Sequence, residues 1–245
     1  MGGQANTNST LGSSNFDGSI QSTVKANTSA GFSIVSYAGN QSSAYTIGHV
    51  LGVAPKIILT KSRSDTANWG VYHSILGTNT NYLSLNTTSA QGANNNSEMS
   101  GTFAILNSST VQMSYLAFGD VGSSLIMYAF SEVAGYSKFG SYTGNGNADG
   151  PFVFTGFRPA WIMIKISGYT GNWIIFDNKR DPFNYCDSRL FPNLSNSEDS
   201  NYNVISMLSN GFKFQNQYDG SWNRNATTFI YLAFAESPFK NARAR

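Results

Sequence analysis

The feature that most restricts what this chain can fold into is that most of it is written twice. Ser36-Tyr37-Ala38-Gly39-Asn40 recurs as Ser141-Tyr142-Thr143-Gly144-Asn145. Gly52-Val53-Ala54-Pro55 leads into Lys56-Ile57-Ile58-Leu59-Thr60-Lys61, and Gly156-Phe157-Arg158-Pro159 leads into Ala160-Trp161-Ile162-Met163-Ile164-Lys165. Gly52 and Gly156, Trp69 and Trp173, and Glu132 and Glu236 are all 104 positions apart (156 − 52, 173 − 69, 236 − 132). One offset shared over most of each copy is the mark of an internal duplication. The copies run over residues 31–134 and 135–245, with the first 30 residues left over as an extended N-terminal arm.

Each copy reads as strands. Ser124 to Phe130 and Thr228 to Phe234 are short apolar runs rich in aromatic and β-branched residues, which suits strands covered on both faces. Pro55 and Pro159 stand at or just before the start of a run, where a residue that cannot donate to a ladder does least harm. Phe212-Lys213-Phe214 alternates as a half-buried strand does, and so do Phe103 and Ile105. Turn signals at Gly39-Asn40, Gly144-Asn145-Gly146, Asn210-Gly211 and Asp219-Gly220 separate the runs, the second read as a hairpin connection. No amphipathic helix stands out. The expected fold is therefore all-β: two tandem, similar β-sandwich lobes, jelly-roll-like, of seven or eight strands each.

Composition narrows the function classes. Charged residues make up 11% of the chain against roughly 25% in an average soluble domain, and Asn, Ser, Thr and Gly fill the gap. With 17 Phe and 13 Tyr the chain is nonetheless foldable. Its 15 basic residues are scattered except for Lys240, Arg243 and Arg245, so no phosphate-contacting patch is expected and nucleic acid is not an expected partner. No apolar run is long enough to span a bilayer, and the opening Met1-Gly2-Gly3-Gln4-Ala5-Asn6 has neither a basic nor an apolar region of a secretory leader. The arm offers only Phe16, Ile20 and Val24 as apolar anchors. These cannot offset ordering some 30 residues at about 1–2 kcal/mol each, so the arm is expected to find partners on neighbouring subunits or on the body of the protein. A homo-oligomer with these three residues at the contact is the expectation, and a trimer is favoured by analogy with fibre-like assemblies rather than by the residues.

Chemistry is sparse. His49 and His73 stand apart from any second ligand at metal-binding spacing, no nucleophile elbow occurs, and the single Cys186 lies beside Asp187, which raises a thiol pKa. No catalytic residue, metal or cofactor is expected. The only concentration of charge without a counterpart in the first copy is the segment Asp177 to Tyr185. Asp177, Lys179, Arg180, Asp181 and Tyr185 are candidate binding residues there, because loops on rigid scaffolds carry recognition. Trp222, in a polar stretch peculiar to the second copy, is a sixth candidate, able to stack on a sugar ring. Paired carboxylates in the segment leave a polysaccharide-degrading activity as an alternative.

Gly31-Phe32-Ser33-Ile34-Val35-Ser36-Tyr37-Ala38-Gly39-Asn40, Gly48 to Pro55, Tyr136 to Gly146, Phe176 to Pro182 and the closing Ala235-Glu236-Ser237-Pro238-Phe239-Lys240 resemble a domain of unknown function found in tail-fibre-like and other virion proteins of marine bacteriophages. The resemblance spans residue 31 to the end and carries no catalytic residue. It implies a virion setting, with other virion proteins and host cell-surface glycan or protein as partners. The function expected from it is host-surface binding by an appendage. Capsid decoration without receptor binding is the alternative.

Overall fold

A computed structural model describes residues 12–39, 44–77, 81–92, 103–113, 122–200, 202–216 and 220–236. Gly2, Asn6, Asn40, Asp219, the stretch 237–240 and the basic Arg243 and Arg245 lie outside the described residues, as do the side chains of Phe103 and Ile105. The described secondary structure is strand throughout, apart from two single-turn 3-10 segments at Thr28–Ala30 and Ser74–Leu76. The chain divides into two compact units, one made of residues 1–85 and 91–131, the other of 86–90 and 132–245.

In the first unit the strands are β1 (Ser13–Asn15), β2 (Ser22–Asn27), β3 (Phe32–Ala38), β4 (Tyr45–Gly48), β5 (Ile57–Ser62), β6 (Gly70–His73), β7 (Leu83–Ser84), β8 (Phe103–Leu106), β9 (Thr110–Met113) and β10 (Ser124–Phe130). They form one sheet in the order β1-β2-β3-β10-β5-β6-β7 and a second in the order β4-β9-β8. The second unit contains β11 (Ser137–Thr143), β12 (Phe152–Phe154), β13 (Pro159–Ile166), β14 (Trp173–Asp177), β15 (Ile205–Leu208), β16 (Gly211–Phe214) and β17 (Thr228–Ala235). Their orders are β11-β17-β13-β14 and β12-β16-β15. Every pairing is antiparallel. The correspondence with β3-β10-β5-β6 and β4-β9-β8 is strand for strand, and registers agree: Ile58 faces Tyr72 as Ile162 faces Phe176, and Ile47 faces Val111 as Val153 faces Phe212. The duplication read from the sequence is thus a duplication of topology.

In each unit the two sheets share one apolar core. Val35, Met127 and Ile58 of the larger sheet meet Ile47, Val111 and Met113 of the smaller in the first unit. Ile162, Ile164 and Tyr231 meet Val153, Phe212 and Phe214 in the second. Each such side chain contributes about 1.5–3 kcal/mol on burial, and the alternation of strand side chains puts it on the inner face. Pro159 opens β13, and Lys213 points out between Phe212 and Phe214, as the sequence implies. β17 is buried on both faces from Phe229 to Ala233. β10 differs from its expected pattern: it alternates, because Ile126, Tyr128 and Phe130 remain partly exposed on the outer face. Gly144 to Gly146 also departs from a hairpin, since β11 and β12 lie in different sheets and the turn carries the chain from one to the other.

The described part of the arm, from Gly12 on, is extended and pairs with its own chain. β2 adds to β3 over six residue pairs, and β1 adds to β2. Val24 is fully buried in the first unit's core and Ile20 packs against that core, whereas Phe16 is exposed. Val24 is therefore a core residue of its own unit, Ile20 is a partly buried neighbour of that core, and Phe16 stays on the surface. The physical reason is the ladder: β2 alternates Ser22, Val24 and Ala26 inward with Thr23, Lys25 and Asn27 outward, so backbone hydrogen bonds and one large apolar anchor order a polar segment that side-chain burial alone would not.

Candidate binding surface

The charged segment of the second unit begins where β14 ends. The carboxylate of Asp177 turns back on the chain, Oδ1 accepting from the N–H groups of Lys179 and Arg180 (both 3.0 Å), while Oδ2 accepts from Arg180 Nε at 2.7 Å. Burial pushes this carboxyl up, but the bonds from Arg180 and its charge outweigh burial and hold it below the usual carboxylate range. Arg180 also donates to Glu198 and to the carbonyl of Ile175, and Lys179 reaches Glu236 at 2.8 Å. Asp181 accepts from the N–H groups of Asp187 (2.7 Å) and Ser188 (2.6 Å) and from the Ser188 hydroxyl. Asp187 in turn accepts from the N–H groups of Tyr202 and Asn203, and Asn184 makes a reciprocal pair with the main chain of Met207.

Each carboxylate of the segment is thus a clamp on main-chain N–H groups, as short charge-assisted bonds favour. These clamps hold a tip on which Phe183 is 82% exposed and Tyr185 49%. A large apolar ring so exposed on a pinned loop is the informative observation at a protein surface. Sequence reading found Tyr185 and missed Phe183, although Pro182-Phe183 between two aspartates is the signal that would have found it. Cys186 sits just beneath, buried, its thiol pushed up to about 12 by burial and by the charges of Asp181 and Asp177.

Trp222 does not join this surface. It is fully buried in the second unit's core; its Nε1 donates to the carbonyl of Asn216 at 3.4 Å, and its own carbonyl accepts from the Tyr142 hydroxyl at 2.7 Å. The ring forms one wall around the Arg189 guanidinium, 5.0 Å from its centroid, with Tyr202 at 4.1 Å, while Asp199 pairs with the same guanidinium. A polar sequence neighbourhood suggested a surface ring, but burying an indole outweighs the polarity of its flanks. The other tryptophans divide: Trp173 is fully buried, Trp69 and Trp161 partly exposed. Both histidines are buried, His49 just after β4 and His73 at the end of β6. His49 Nε2 faces the Asn107 carbonyl at 3.1 Å and its Nδ1 accepts from Leu51 N–H, and His73 Nδ1 accepts from Ile75 N–H.

A second exposed feature lies on β12, one of the two edge strands of its sheet. Val153 points into the core, and Phe152 and Phe154 point out, 47% and 63% exposed. The register makes them the equivalents of Thr46 and Gly48 in β4. There the edge is covered: Gly18 bridges Ile47, and Ser19 N–H donates to the Thr46 carbonyl at 3.0 Å. Gly48 is required by this cover, because a Cβ on it would stand 2.5 Å from Asn15 Nδ2.

No curated protein matches the chain, and no solved structure matches it. The protein family described as a domain of unknown function, DUF7483, matches residues 5–238, a span that takes in β1 and β2 as well as both copies. The covered arm, the two sandwiches and the clamped loop are therefore parts of one family domain, and the chain belongs to the DUF7483 family.

Proposed function

We propose that the chain is a non-enzymatic virion surface protein of a bacteriophage, tail-fibre-like, whose second unit binds the host cell surface. The observation that carries this reading is the clamped tip. Asp177, Asp181 and Asp187 are taken up as acceptors for the loop's own backbone, and Phe183 and Tyr185 are the exposed aromatic rings at the loop's tip. A polysaccharide-degrading enzyme would need two of these carboxylates facing a substrate, one as acid and one as nucleophile or base. Their engagement with main-chain N–H groups argues against that role. The virion setting rests on the resemblance of the Gly31 to Asn40 and Tyr136 to Gly146 stretches to phage proteins. A structural role without receptor binding is the second reading, favoured by the exposed edge of β12.

The test is direct binding of fluorescently labelled protein to a panel of marine bacterial isolates. Wild type binds at least one isolate, and Phe183→Ala with Tyr185→Ala abolishes binding while the melting temperature stays unchanged. Absence of binding to every isolate, with immunogold placing hundreds of copies on the phage head, overturns this reading in favour of the structural one.

A further inference from the structure

In the first unit the N-terminal segment covers two edges: β2 pairs with β3, and Gly18 to Ile20 lie along β4. The second unit repeats both edges, as β11 and β12, without repeating the segment. β11 is blunted by a side chain: the Glu132 carboxylate accepts from Phe139 N–H at 2.9 Å and pairs with Lys138 at 3.1 Å. Among the described residues no strand pairs with the outer edge of β12. Pro151 and Thr155 bond toward β16, through Phe214 N–H to Pro151 O and Thr155 N–H to Asn210 O. Backbone polarity alternates along a strand, so the N–H and C=O groups of Phe152 and Phe154 point off the edge. Phenylalanine in place of Gly48 also excludes a cover like that of the first unit, since even a Cβ there has no room beneath one.

We propose that the β12 edge is a self-association surface whose occupant is β12 of a second copy of this chain. The strand reads Phe152-Val153-Phe154, the same in both directions. A twofold axis through Val153 sets Phe152 of one protomer opposite Phe154 of its partner, and the reverse. Both are edge-facing residues, so each pair exchanges two N–H to C=O bonds, and all four open groups on each edge are satisfied. The four rings then meet on the outer face, where opposed aromatic pairs stabilise a sheet. The contact is isologous and closes at two copies. Its product is a continuous six-stranded sheet, β15-β16-β12 joined to the partner's β12-β16-β15. This surface is independent of the Phe183 and Tyr185 tip.

Analytical ultracentrifugation of the full chain across micromolar to millimolar concentration reads the association. Wild type moves from a 26.5 kDa species toward twice that mass. Phe152→Asp with Phe154→Asp weakens association at least tenfold at an unchanged circular dichroism spectrum. The single Phe154→Lys change, at the more exposed ring, gives the same loss should the double change unfold the second unit. Geometry is read separately by a spin label on Leu208→Cys, since the only native cysteine is buried. Leu208 faces Gly211, which faces Phe154, so five strand spacings and a two-residue offset separate the labelled backbones by roughly 25 Å. A chain that stays monomeric throughout, a dimer that survives both variants, or a dimer without that distance overturns the proposal.

Discussion

Lys165 is a fully buried ammonium whose partners are all backbone carbonyls: Ile166 at 2.8 Å, and Thr88 and Tyr169 at 3.4 Å. Its role is to tie the 86–90 segment and the Ser167 to Gly171 turn to β13. Burial lowers its pKa from 10.5 to about 8, which corresponds to about 3 kcal/mol at ~1.36 kcal/mol per pH unit. At pH 7 the side chain is charged folded and unfolded, and the folded state carries that penalty. Between pH 8 and 10.5 the unfolded chain holds the proton more tightly, so stability rises with pH. Above 10.5 both states are neutral and the penalty is gone. Lys165→Met removes the titration and keeps the volume, leaving three carbonyls without their shared donor. Urea denaturation of both proteins at pH 7 and pH 10.5 isolates the effect, with Lys61→Met at the partly exposed equivalent position as control for alkali. Wild type gains about 3 kcal/mol on the Met variant between the two pH values. A difference under about 0.5 kcal/mol, or one of opposite sign, refutes the dry, carboxylate-free site.

Trp222→Ala empties the largest single volume beneath the Arg189 stack and costs the second unit about 3–5 kcal/mol, read as a lower urea midpoint; a loss below about 1 kcal/mol would return the ring to the surface. His49 is held neutral by burial, its pKa lowered from 6.5, and a protonated Nδ1 would face Leu51 N–H as a second donor. Its contribution is complete above pH 6.5 and declines as pH falls toward the lowered value, by at most about 1.36 kcal/mol per pH unit. His49→Gln flattens that slope in acid denaturation followed by tryptophan fluorescence.

What could be read from the chain and what could not divide along physical lines. The duplication was legible because repeated side-chain patterns repeat the same inward and outward faces: Ile58 and Ile162 are both core, each after its Gly-x-x-Pro. β2 was not legible, because Ser22-Thr23-Val24-Lys25-Ala26-Asn27 carries one large apolar side chain and gains its order from a ladder to β3, and ladders leave no mark on composition. Asp177, Lys179, Arg180 and Asp181 were legible as a cluster, but the bonds of the two carboxylates to the loop's own N–H groups were not, because a structured loop satisfies its backbone with whatever acceptors lie nearby. Phe152 and Phe154 escaped notice since Phe-Val-Phe reads as a strand apolar on both faces. Only the structure shows that β12 lies at a sheet edge with its outer face exposed among the described residues.

The divergence of the two units follows from what precedes each copy. Ahead of β3 the chain has β2 to pair with β3 and Gly18 to Ile20 to lie along β4; ahead of β11 it has only residues 131–136 after β10 ends. A unit copied without its cover inherits two edges with unpaired backbone groups, and each needs its own remedy. At β11 the remedy is local, a carboxylate from the connecting segment on the first free N–H. At β12 no strand among the described residues serves. The strand is short, Pro151 stands before it, and the residues that face outward have become aromatic. Shortness and proline limit open-ended strand addition, whereas paired rings about a central valine reward one particular partner. The clamped Phe183 tip belongs to the second unit's own connection between β14 and β15, residues 178–204, which three aspartates pin. The cover of β3 and β4 is thus the part of the first unit that the second does not repeat among the described residues, and β12 is the edge where that difference shows.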